Sequence, residues 1–385
     1  MAAEQTQTNG RTPVDTAEHK FTYDQWMYSL GLPVYTGFFI TDTRTLELGH
    51  WEARGCDAAL IQLSGQEGVS EARVSEIAPG GSTKPVKLAM DEVVYVLQGR
   101  GVTSVWGREG DRRTFEWHPR SMFVIPHNCW HEFHNMQGNQ AVRLLHYNYL
   151  PLGMSVINDP DFFFNNPYDQ AAEHFLADAG FYSTARIQCD PNSSFWGYRL
   201  GLWSGNFFPD MQVWDKLDAN TGRGAGGSSI MIKFPNSEMS CHMSVFPART
   251  YKKAHRHGPG RVIVIPGGEG YSVMWQEGQE KVLVPWHEAS LFVPPGRWFH
   301  QHFNLGAEPA RYLAFHPPLQ FHGYAEKVED RARDQIEYPN EDPWVREYFE
   351  SELGKRGLTS LMPERAYQDL TYEWKPGQAT EAAAS

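Results

Sequence analysis

The chain has 385 residues, a length that suits two domains better than one, because domains usually span about 100 to 200 residues. Its 34 Lys and Arg against 46 Asp and Glu give a net charge of -12, which argues against nucleic acid or an anionic membrane as a partner. With 41% hydrophobic residues, 35 Gly and 25 Pro, the composition favours many short strands around a large core over a helical bundle.

The first segment, residues 1–20, is polar and small, and we interpret it as a flexible N-terminal tail. It lacks a basic stretch followed by an apolar one, and no segment of the chain approaches 18 uninterrupted apolar residues. We therefore expect a soluble, cytoplasmic protein. The cysteines lie far apart, so we expect buried free thiols and neither a disulfide framework nor a thiolate zinc site. They are Cys56, Cys129, Cys189 and Cys241.

An internal repeat is the strongest signal of organisation. The apolar run 92–97 ends in a glycine turn at Gly99, and a second run, 262–265, ends in a turn at Gly268. An offset of 169 residues relates the two runs and continues for some forty positions without a gap. Twelve identical pairs share this offset, and they are Val93/Val262, Gly99/Gly268, Gly101/Gly270, Trp106/Trp275, Trp117/Trp286, His118/His287, Ser121/Ser290, Phe123/Phe292, Val124/Val293, Pro126/Pro295, His131/His300 and Asn135/Asn304. The offset predicts two copies of one β-domain.

The repeat divides the chain into an N-terminal domain at 21–160, a connecting segment at 161–225, a C-terminal domain at 226–325 and a helical extension with its tail at 326–385. In the connecting segment the pattern predicts a helix around 170–179. In the extension it predicts a helix that starts at Pro343 after Asp342 as its N-cap. We expect both segments to pack on the outside of the two domains.

A histidine cluster in the C-terminal copy points to a metal. His255 and His257 are two residues apart, so on a strand their side chains share one face about 6.6 Å apart. His300 follows 43 residues later, in a strand after a tight turn. Three imidazoles in this arrangement can converge on one ion.

These motifs resemble the cupin superfamily, which combines a His-x-His segment before a Gly-terminated strand with a Pro-turn-His-Asn segment such as 295–304. The resemblance and the repeat imply a bicupin, an all-β dominated protein with two double-stranded β-helix (jelly-roll) barrels and a few peripheral helices. The usual cupin Glu is missing here, because Arg261 or Val262 stands in its place. A three-histidine centre without it is similar to that of gentisate 1,2-dioxygenase-like ring-cleaving enzymes.

The two copies differ chemically. Subtracting 169 places Val86 and Leu88 where the C-terminal copy has His255 and His257, and leaves His131 alone. We therefore expect the N-terminal copy to hold no transition metal. Its remaining pocket residues, of unassigned role, are Glu92, His131 and Asn135.

Further side chains are candidates for the C-terminal pocket. His302, two residues beyond His300, is either an acid or base beside the metal or a structural histidine. Candidate substrate-binding residues are Arg261, Arg249, Trp298 and His242. The basic segment 249–261 is either a locally positive entrance that gathers anions or a solvated basic edge.

The resemblance implies a non-haem Fe(II) dioxygenase that cleaves a C–C bond in a hydroxylated aromatic acid such as gentisate or salicylate, with O2 as cosubstrate. One alternative is a non-redox isomerase, lyase or decarboxylase that uses Mn, Ni or Zn in the same triad. Another is a non-catalytic binding or storage bicupin. Related bicupins form dimers or tetramers, which implies a homo-oligomer.

Overall fold

A computed structural model describes residues 21–108, 110–191, 193, 201–212, 218–219, 223–321 and 331–374. The N-terminal tail 1–20 and the last residues of the C-terminal extension lie outside the described residues. Among those described, no helix combines the length and the apolar character needed to cross a bilayer. Cys56, Cys129 and Cys241 are buried free thiols, whereas Cys189 is exposed, contrary to the expectation that all four are buried.

The described part of the chain is built mainly from short strands. Strands β1 to β11 are Val34–Tyr35, Phe39–Ile40, Gly49–Trp51, Cys56–Ile61, Glu71–Ile77, Glu92–Gln98, Gly101–Trp106, Arg113–Trp117, Met122–Ile125, Trp130–Asn135 and Val142–Asn148. Strands β12 to β25 are Gln188–Asp190, Leu202–Ser204, Phe207–Phe208, Asp218–Ala219, Ser228–Lys233, Ser240–Phe246, Ala254–His255, Val262–Gly267, Gly270–Trp275, Val282–Trp286, Leu291–Phe292, Phe299–Asn304, Ala310–His316 and Gln335–Ile336.

The strands form two jelly-roll barrels, each made of one large and one small sheet. In the N-terminal barrel the large sheet has the order β1-β4-β5-β11-β6-β9-β14, with β3 beside β4, and faces the small sheet β10-β7-β8. In the C-terminal barrel the large sheet runs β12-β13-β16-β17-β24-β19-β22-β2, with β15 beside β16, and the small sheet runs β21-β20-β23-β18-β25. The predicted pair of double-stranded β-helix barrels is confirmed.

The duplication extends to individual hydrogen bonds. Trp117 Nε1 donates to Thr103 Oγ1 at 2.8 Å, and its counterpart Trp286 donates to Ser272 Oγ at 3.0 Å. The equivalent pair Asn135 and Asn304 behaves in the same way. Each side-chain amide donates to two carbonyls at the end of a long strand, which is β5 for Asn135 and β17 for Asn304. Each also donates to one carbonyl in the loop that follows its own strand. The Asn135 amide is thus used to close a loop of the N-terminal barrel, and its place in an N-terminal pocket stays a prediction.

The two barrels exchange edge strands. β2 comes from the N-terminal half but pairs with β22 of the C-terminal barrel, through Phe39 opposite Phe292. β14 comes from the connecting segment but pairs with β9 of the N-terminal barrel, through Phe207 opposite Phe123. The segment between the barrels thus extends both large sheets. It does not simply pack outside them.

Short helices lie around the barrels. Helices α1 to α6 are Thr22–Ser29, Leu150–Val156, Pro160–Phe163, Glu173–Ala177, Arg331–Asp334 and Pro343–Gly354. Helix α4 is shorter than the predicted helix at 170–179, because Asp178 is extended and its carboxylate accepts from the Gly180 N–H at 2.9 Å. Helix α6 starts after Asp342, whose side chain accepts from Trp344 N at 3.1 Å.

One glycine shows how tightly the small sheet of the C-terminal barrel is packed. A Cβ built on Gly270 would lie 1.9 Å from the carbonyl oxygen of Phe303, a backbone atom that cannot rotate away. We expect Gly270→Ala to lower the free energy of unfolding by about 1 to 3 kcal/mol or more. Gly354→Ala, at the end of α6 where a Cβ meets nothing, is the control and should be neutral or slightly stabilising. Denaturant unfolding of both variants checks this, and equal midpoints would contradict it.

Candidate metal centre and its surroundings

The three histidines of the C-terminal copy come together inside its barrel. β18 pairs with β23 so that His255 lies directly opposite His300. The ring centroids of His255 and His257 lie 4.2 Å and 4.6 Å from that of His300. One nitrogen from each ring lies within 4.8 Å of the other two, and all three residues are buried.

The hydrogen bonds of the rings suit a metal ion. His257 Nδ1 lies 2.8 Å from the Gly258 carbonyl, and His300 Nδ1 lies 3.3 Å from the Trp298 carbonyl. A carbonyl only accepts, so each Nδ1 carries the proton and each Nε2 keeps a lone pair for a ligand bond. His255 Nδ1 is buried and has no hydrogen-bond partner among the described residues. These donor atoms fit a divalent ion such as Fe(II), Mn, Ni or Zn.

The surroundings keep the imidazoles neutral. Burial, and then the Arg223 guanidinium, holds the pKa of His255 well below its ordinary value. Burial, and then the Arg261 guanidinium, does the same to the pKa of His257. Neutral imidazole is the form that binds metal, so these ligands are ready at neutral pH without losing protons.

Arg261 replaces the carboxylate that many cupins place near the metal. It is 4% exposed and lies immediately before β19, and its positional equivalent in the N-terminal barrel is the buried Glu92. The group of possible ligands consists of His255, His257 and His300 and includes no carboxylate. The ligands themselves would therefore leave the charge of a divalent ion uncompensated.

A second arginine near the triad was not singled out in the sequence. Arg223 is the leading charge acting on His255 and also lowers the pKa of His257. It stands 169 residues after Arg54, and the two make the same backbone contact: Lys84 N donates to the Arg54 carbonyl at 2.8 Å, and Lys253 N donates to the Arg223 carbonyl at 3.1 Å. The repeat therefore contains this arginine in both copies, and the offset was the signal that would have revealed it.

His302 faces the same interior as His300. Its ring centroid lies 5.6 Å from that of His300 and 4.8 Å from that of Tyr312. Ser272 Oγ holds its Nδ1 at 2.8 Å, which fixes the ring. His242 shares a 2.6 Å hydrogen bond with His316, and its ring contacts that of Tyr312 at 5.5 Å. His302 therefore lies beside the triad, whereas His242 is linked to it only through Tyr312.

A buried lysine and tyrosine complete this side of the site. Lys252 is 1% exposed, and its ammonium donates to Ser244 Oγ and to Tyr312 Oη, the latter at 3.3 Å. Burial lowers the pKa of Lys252, and Tyr312 partly offsets this. Burial opposes ionisation of Tyr312, but the Lys252 ammonium, Ser244 and Arg223 together outweigh it and lower the pKa of the phenol. The sequence showed Lys252 only as one residue in a basic run.

The basic segment 249–261 does not form a positive entrance. Lys253 pairs with Glu337 at 2.5 Å, and Arg256 pairs with Asp334 at 2.7 Å and with Glu277 at 2.6 Å. Lys252 and Arg261 point into the protein instead.

Arg249 and Trp298, two of the predicted substrate-binding residues, lie differently from expectation. The carbonyl of Thr250, the residue after Arg249, accepts from Asn304 N at the end of β23. Arg249 therefore lies at the end of β23 that is distant from His300. The Trp298 ring packs on Phe38 with centroids 5.5 Å apart. Trp298 contributes to the site through its carbonyl, which accepts from His300 Nδ1 and orients that ring.

The N-terminal barrel fills the corresponding space with a buried ion-pair network. Arg73 contacts both Glu71 and Glu92, and Glu92 also contacts His146 Nδ1 at 2.7 Å. Burial opposes ionisation of Glu92, but Arg73 and then His146 outweigh it and hold its pKa well below the usual range. Glu92 is thus a member of this network and has no freedom to act as a metal ligand. His131 is buried beside it.

The buried carboxylate of Glu341 packs against β23, where it contacts Gln301. Glu341 accepts from the Tyr251 hydroxyl and from Gln301 Nε2, the latter at 3.1 Å, yet burial raises its pKa to about 7. Because the folded pKa lies above the ordinary value of 4.5, the stability tied to this group is fully present below pH 4.5 and is lost as the pH rises through 7.

We expect Glu341→Gln to match the wild type at pH 4 and to exceed its free energy of unfolding at pH 8 by about 3 kcal/mol. Gln301 Oε1 has no partner among the described residues and can accept from the new amide after the Gln301 amide rotates. Urea unfolding at both pH values measures the difference. Glu350→Gln, on the exposed side of α6, is the control. If the free energy of unfolding of Glu341→Gln changes with pH as that of the wild type does, Glu341 is not the titrating group.

Comparison with known proteins identifies the N-terminal barrel. Residues 73–147, from β5 to β11, match the family model described as a cupin domain. A comparison with curated protein sequences found no match.

Solved structures with a similar fold include enzymes of two kinds. Bacillus subtilis oxalate decarboxylase is 10% identical over 88% of this chain and 88% of that chain, with a TM-score of 0.48. Salicylate 1,2-dioxygenase from Pseudoaminobacter salicylatoxidans, as adducts with gentisate, is 14% identical over 71% and 75%, with a TM-score of 0.48. Oxalate decarboxylase from Lactobacillus farciminis, as a formate complex, is 13% identical over 73% and 86%, with a TM-score of 0.46.

Likenesses this distant say nothing about the reaction. The internal evidence is stronger, since the barrel that matches the cupin domain recurs at a fixed offset, with the same strands and the same tryptophan and asparagine hydrogen bonds. The chain therefore contains a cupin domain in its N-terminal barrel and a second barrel of the same architecture in its C-terminal half.

Proposed function

We propose that the protein is a non-haem Fe(II) dioxygenase that cleaves a C–C bond in a hydroxylated aromatic acid, with His255, His257 and His300 as the metal ligands. The observation that carries this proposal is the charge of the site. Arg223 and Arg261 are the leading charges that lower the pKa of His255 and His257, Lys252 acts on the neighbouring His302, and the possible ligands include no carboxylate. Such a site favours a chelating anionic substrate over a neutral one.

The metal, when bound, would supply coordination sites for the substrate and the redox chemistry with O2. The chain's own residues would bind and orient the acid. Arg223 and Arg261 act on different histidines of the triad, so the two guanidiniums offer two places for a carboxylate or phenolate. His302, held by Ser272, would take or return the phenolic proton. The burial of all three ligands excludes bulk water.

The test is O2 uptake by the anaerobically Fe(II)-loaded protein with gentisate, salicylate and related phenolic acids. We expect turnover in air and none under argon. Arg223→Gln should raise KM by about 10- to 100-fold, because it removes a charge-assisted contact worth about 1.5 to 3 kcal/mol. Its matched control is Arg54→Gln, the equivalent change in the other barrel, which should leave KM unchanged. Turnover under argon, or equal KM in both variants, would contradict the proposal.

A second candidate is a non-redox isomerase, lyase or decarboxylase that uses Mn, Ni or Zn in the same triad. The buried pair of Lys252 and Tyr312 favours it, because an ammonium and an acidified phenol beside His302 form a ready proton donor and acceptor. This reading predicts the same rate in air and under argon. It also predicts that Tyr312→Phe lowers kcat far more than it changes KM.

A further inference from the structure

The loop that follows His257 in the C-terminal barrel is held by the N-terminal barrel. Gly260 in this loop forms hydrogen bonds through both of its backbone polar groups. Its N–H donates to the Gly65 carbonyl at 2.7 Å. Its carbonyl accepts from Ser70 Oγ at 3.0 Å and from Tyr147 Oη at 2.9 Å. The backbone beside a metal ligand is therefore fixed by groups from the other half of the chain.

The same N-terminal turn also holds the loop that leads to His300. The N–H of Gly296 donates to Glu67 Oε1 at 2.7 Å. The next residue, Arg297, donates its N–H to the His257 carbonyl at 2.7 Å, so the two ligand-bearing loops are also bonded to each other. One turn of the N-terminal barrel thus contacts both loops that carry metal ligands.

The conformation of Gly260 leaves little freedom at this contact. Its φ is +83°, a left-handed conformation that favours glycine. A Cβ at this position would lie 3.0 Å from Val69 Cγ1 and 3.2 Å from Pro317 Cβ. The close approach of the two barrels therefore requires glycine here, and the hydrogen bonds select one orientation of its peptide.

The two hydroxyl donors are themselves fixed. Tyr147 is 1% exposed and stacks on Phe315 with ring centroids 5.2 Å apart. Burial raises the pKa of Tyr147 above its ordinary value, so its hydroxyl keeps the proton that it donates. Ser70 is 2% exposed, and its carbonyl accepts from Gln66 Nε2 at 3.0 Å. Both hydroxyls therefore act from rigid positions in the N-terminal barrel.

The duplication shows that this contact belongs to the way the two copies pack. The 169-residue offset relates Gly260 to Asp91 and the turn 65–70 to 234–239. The reciprocal contact exists, because Ser237 Oγ in the second turn donates to Asp91 Oδ2 at 2.5 Å. Each barrel thus holds the equivalent residue of the other, and in one of the two directions that residue lies beside a metal ligand.

We propose that Ser70 and Tyr147 are positioning residues of the metal centre, on which they act through the Gly260 carbonyl. His257 lies three residues before Gly260, and Arg261 follows it directly. A rotation of this peptide would therefore move a metal ligand and the guanidinium beside it. Groups that orient metal ligands in this way tune both affinity and geometry. The inference rests on the proposed three-histidine metal site but not on the reaction with O2.

The test is titration of the metal-free, full-length protein with Co(II), followed by the visible absorption of the bound ion. Tyr147→Phe keeps the ring that stacks on Phe315 and removes only the donor. We expect it to raise the Kd for Co(II) about 3- to 10-fold and to shift the absorption bands, because the ligand geometry changes. The double variant with Ser70→Ala removes both donors and should raise the Kd at least about tenfold.

The matched control is Tyr149→Phe. Tyr149 Oη also donates across the barrels, to the His316 carbonyl at 2.7 Å, but outside the loops that carry the metal ligands. Its unfolding midpoint should fall as far as that of Tyr147→Phe, while its Co(II) Kd and spectrum stay those of the wild type.

The outcomes separate this inference from the metal site on which it rests. If the wild type binds no Co(II), both the metal site and the inference are overturned. If the wild type binds Co(II) and the double variant has the same Kd and spectrum, the inference alone is overturned. Equal changes in Tyr147→Phe and Tyr149→Phe would also overturn it, because they would show a general effect of barrel packing.

Discussion

Replacement of His257 by alanine is expected to abolish stoichiometric metal binding while leaving the protein folded. The triad holds three neutral imidazoles within 4.8 Å of one another, so removal of one leaves two ligands, too few for a stable site. Loss of a residue that merely orients a ligand costs about 10- to 100-fold in metal affinity, and loss of a ligand should cost at least as much. Elemental analysis after reconstitution and desalting measures the effect.

The control for this experiment is His287→Ala. His287 lies in the same barrel, is partly exposed and contacts the Glu288 carbonyl at 2.8 Å, outside the triad. It should retain metal as the wild type does. Full metal occupancy in His257→Ala would show that the ion, if any, binds elsewhere, and the proposed reaction would lose its site.

The largest expected effect on stability comes from Arg73→Met in the N-terminal barrel. Arg73 is 3% exposed and is the shared partner of Glu71 and Glu92, both buried. The substitution leaves two carboxylates without their cation, and breaking a buried ion pair in this way costs about 3 to 5 kcal/mol. Denaturant unfolding should show a lower midpoint. Because one hydrophobic core joins both barrels, we expect both barrels to unfold at this lower midpoint.

Arg365→Ala serves as the comparison, since Arg365 is exposed and pairs with Asp369 on the surface at 3.1 Å. Its unfolding midpoint should equal that of the wild type. The triple variant Glu71→Gln, Glu92→Gln and Arg73→Met should recover much of the lost stability, because it removes the stranded charges as well. A midpoint unchanged in Arg73→Met alone would disprove the role of the network.

The metal triad was visible in the sequence because its signal is local and repeated. The spacing of His255 and His257 places both on one face, and the 169-residue offset placed His300 in an equivalent strand. The same offset showed that Val86 and Leu88 remove two ligand positions from the other barrel. The strand is shorter than the spacing implies, because β18 ends at His255, yet the ring centroids of His255 and His257 still lie 5.8 Å apart.

The remainder of the site depends on contacts between distant parts of the chain. The 169-residue offset pairs Arg223 with Arg54, but only the fold shows that Arg223, 32 residues before His255, acts on the triad. Lys252 resembled an exposed charge because only the fold shows that Ser244 and Tyr312 surround it. Arg249 belonged to the same basic run, yet the strand carries it away from the metal.

The exchange of edge strands bears on how the protein is made. During synthesis, Phe39–Ile40 finds no partner until Leu291–Phe292 has emerged about 250 residues later, a delay of about 10 to 50 s at ordinary translation rates. The nascent N-terminal half therefore carries an unpaired apolar strand, which is a hazard for aggregation. The exchange also makes gene truncation costly, since a C-terminal half produced alone would expose the edge of β22. The N-terminal half, which lacks two of the metal histidines, therefore still supplies a strand that completes the large sheet of the C-terminal barrel.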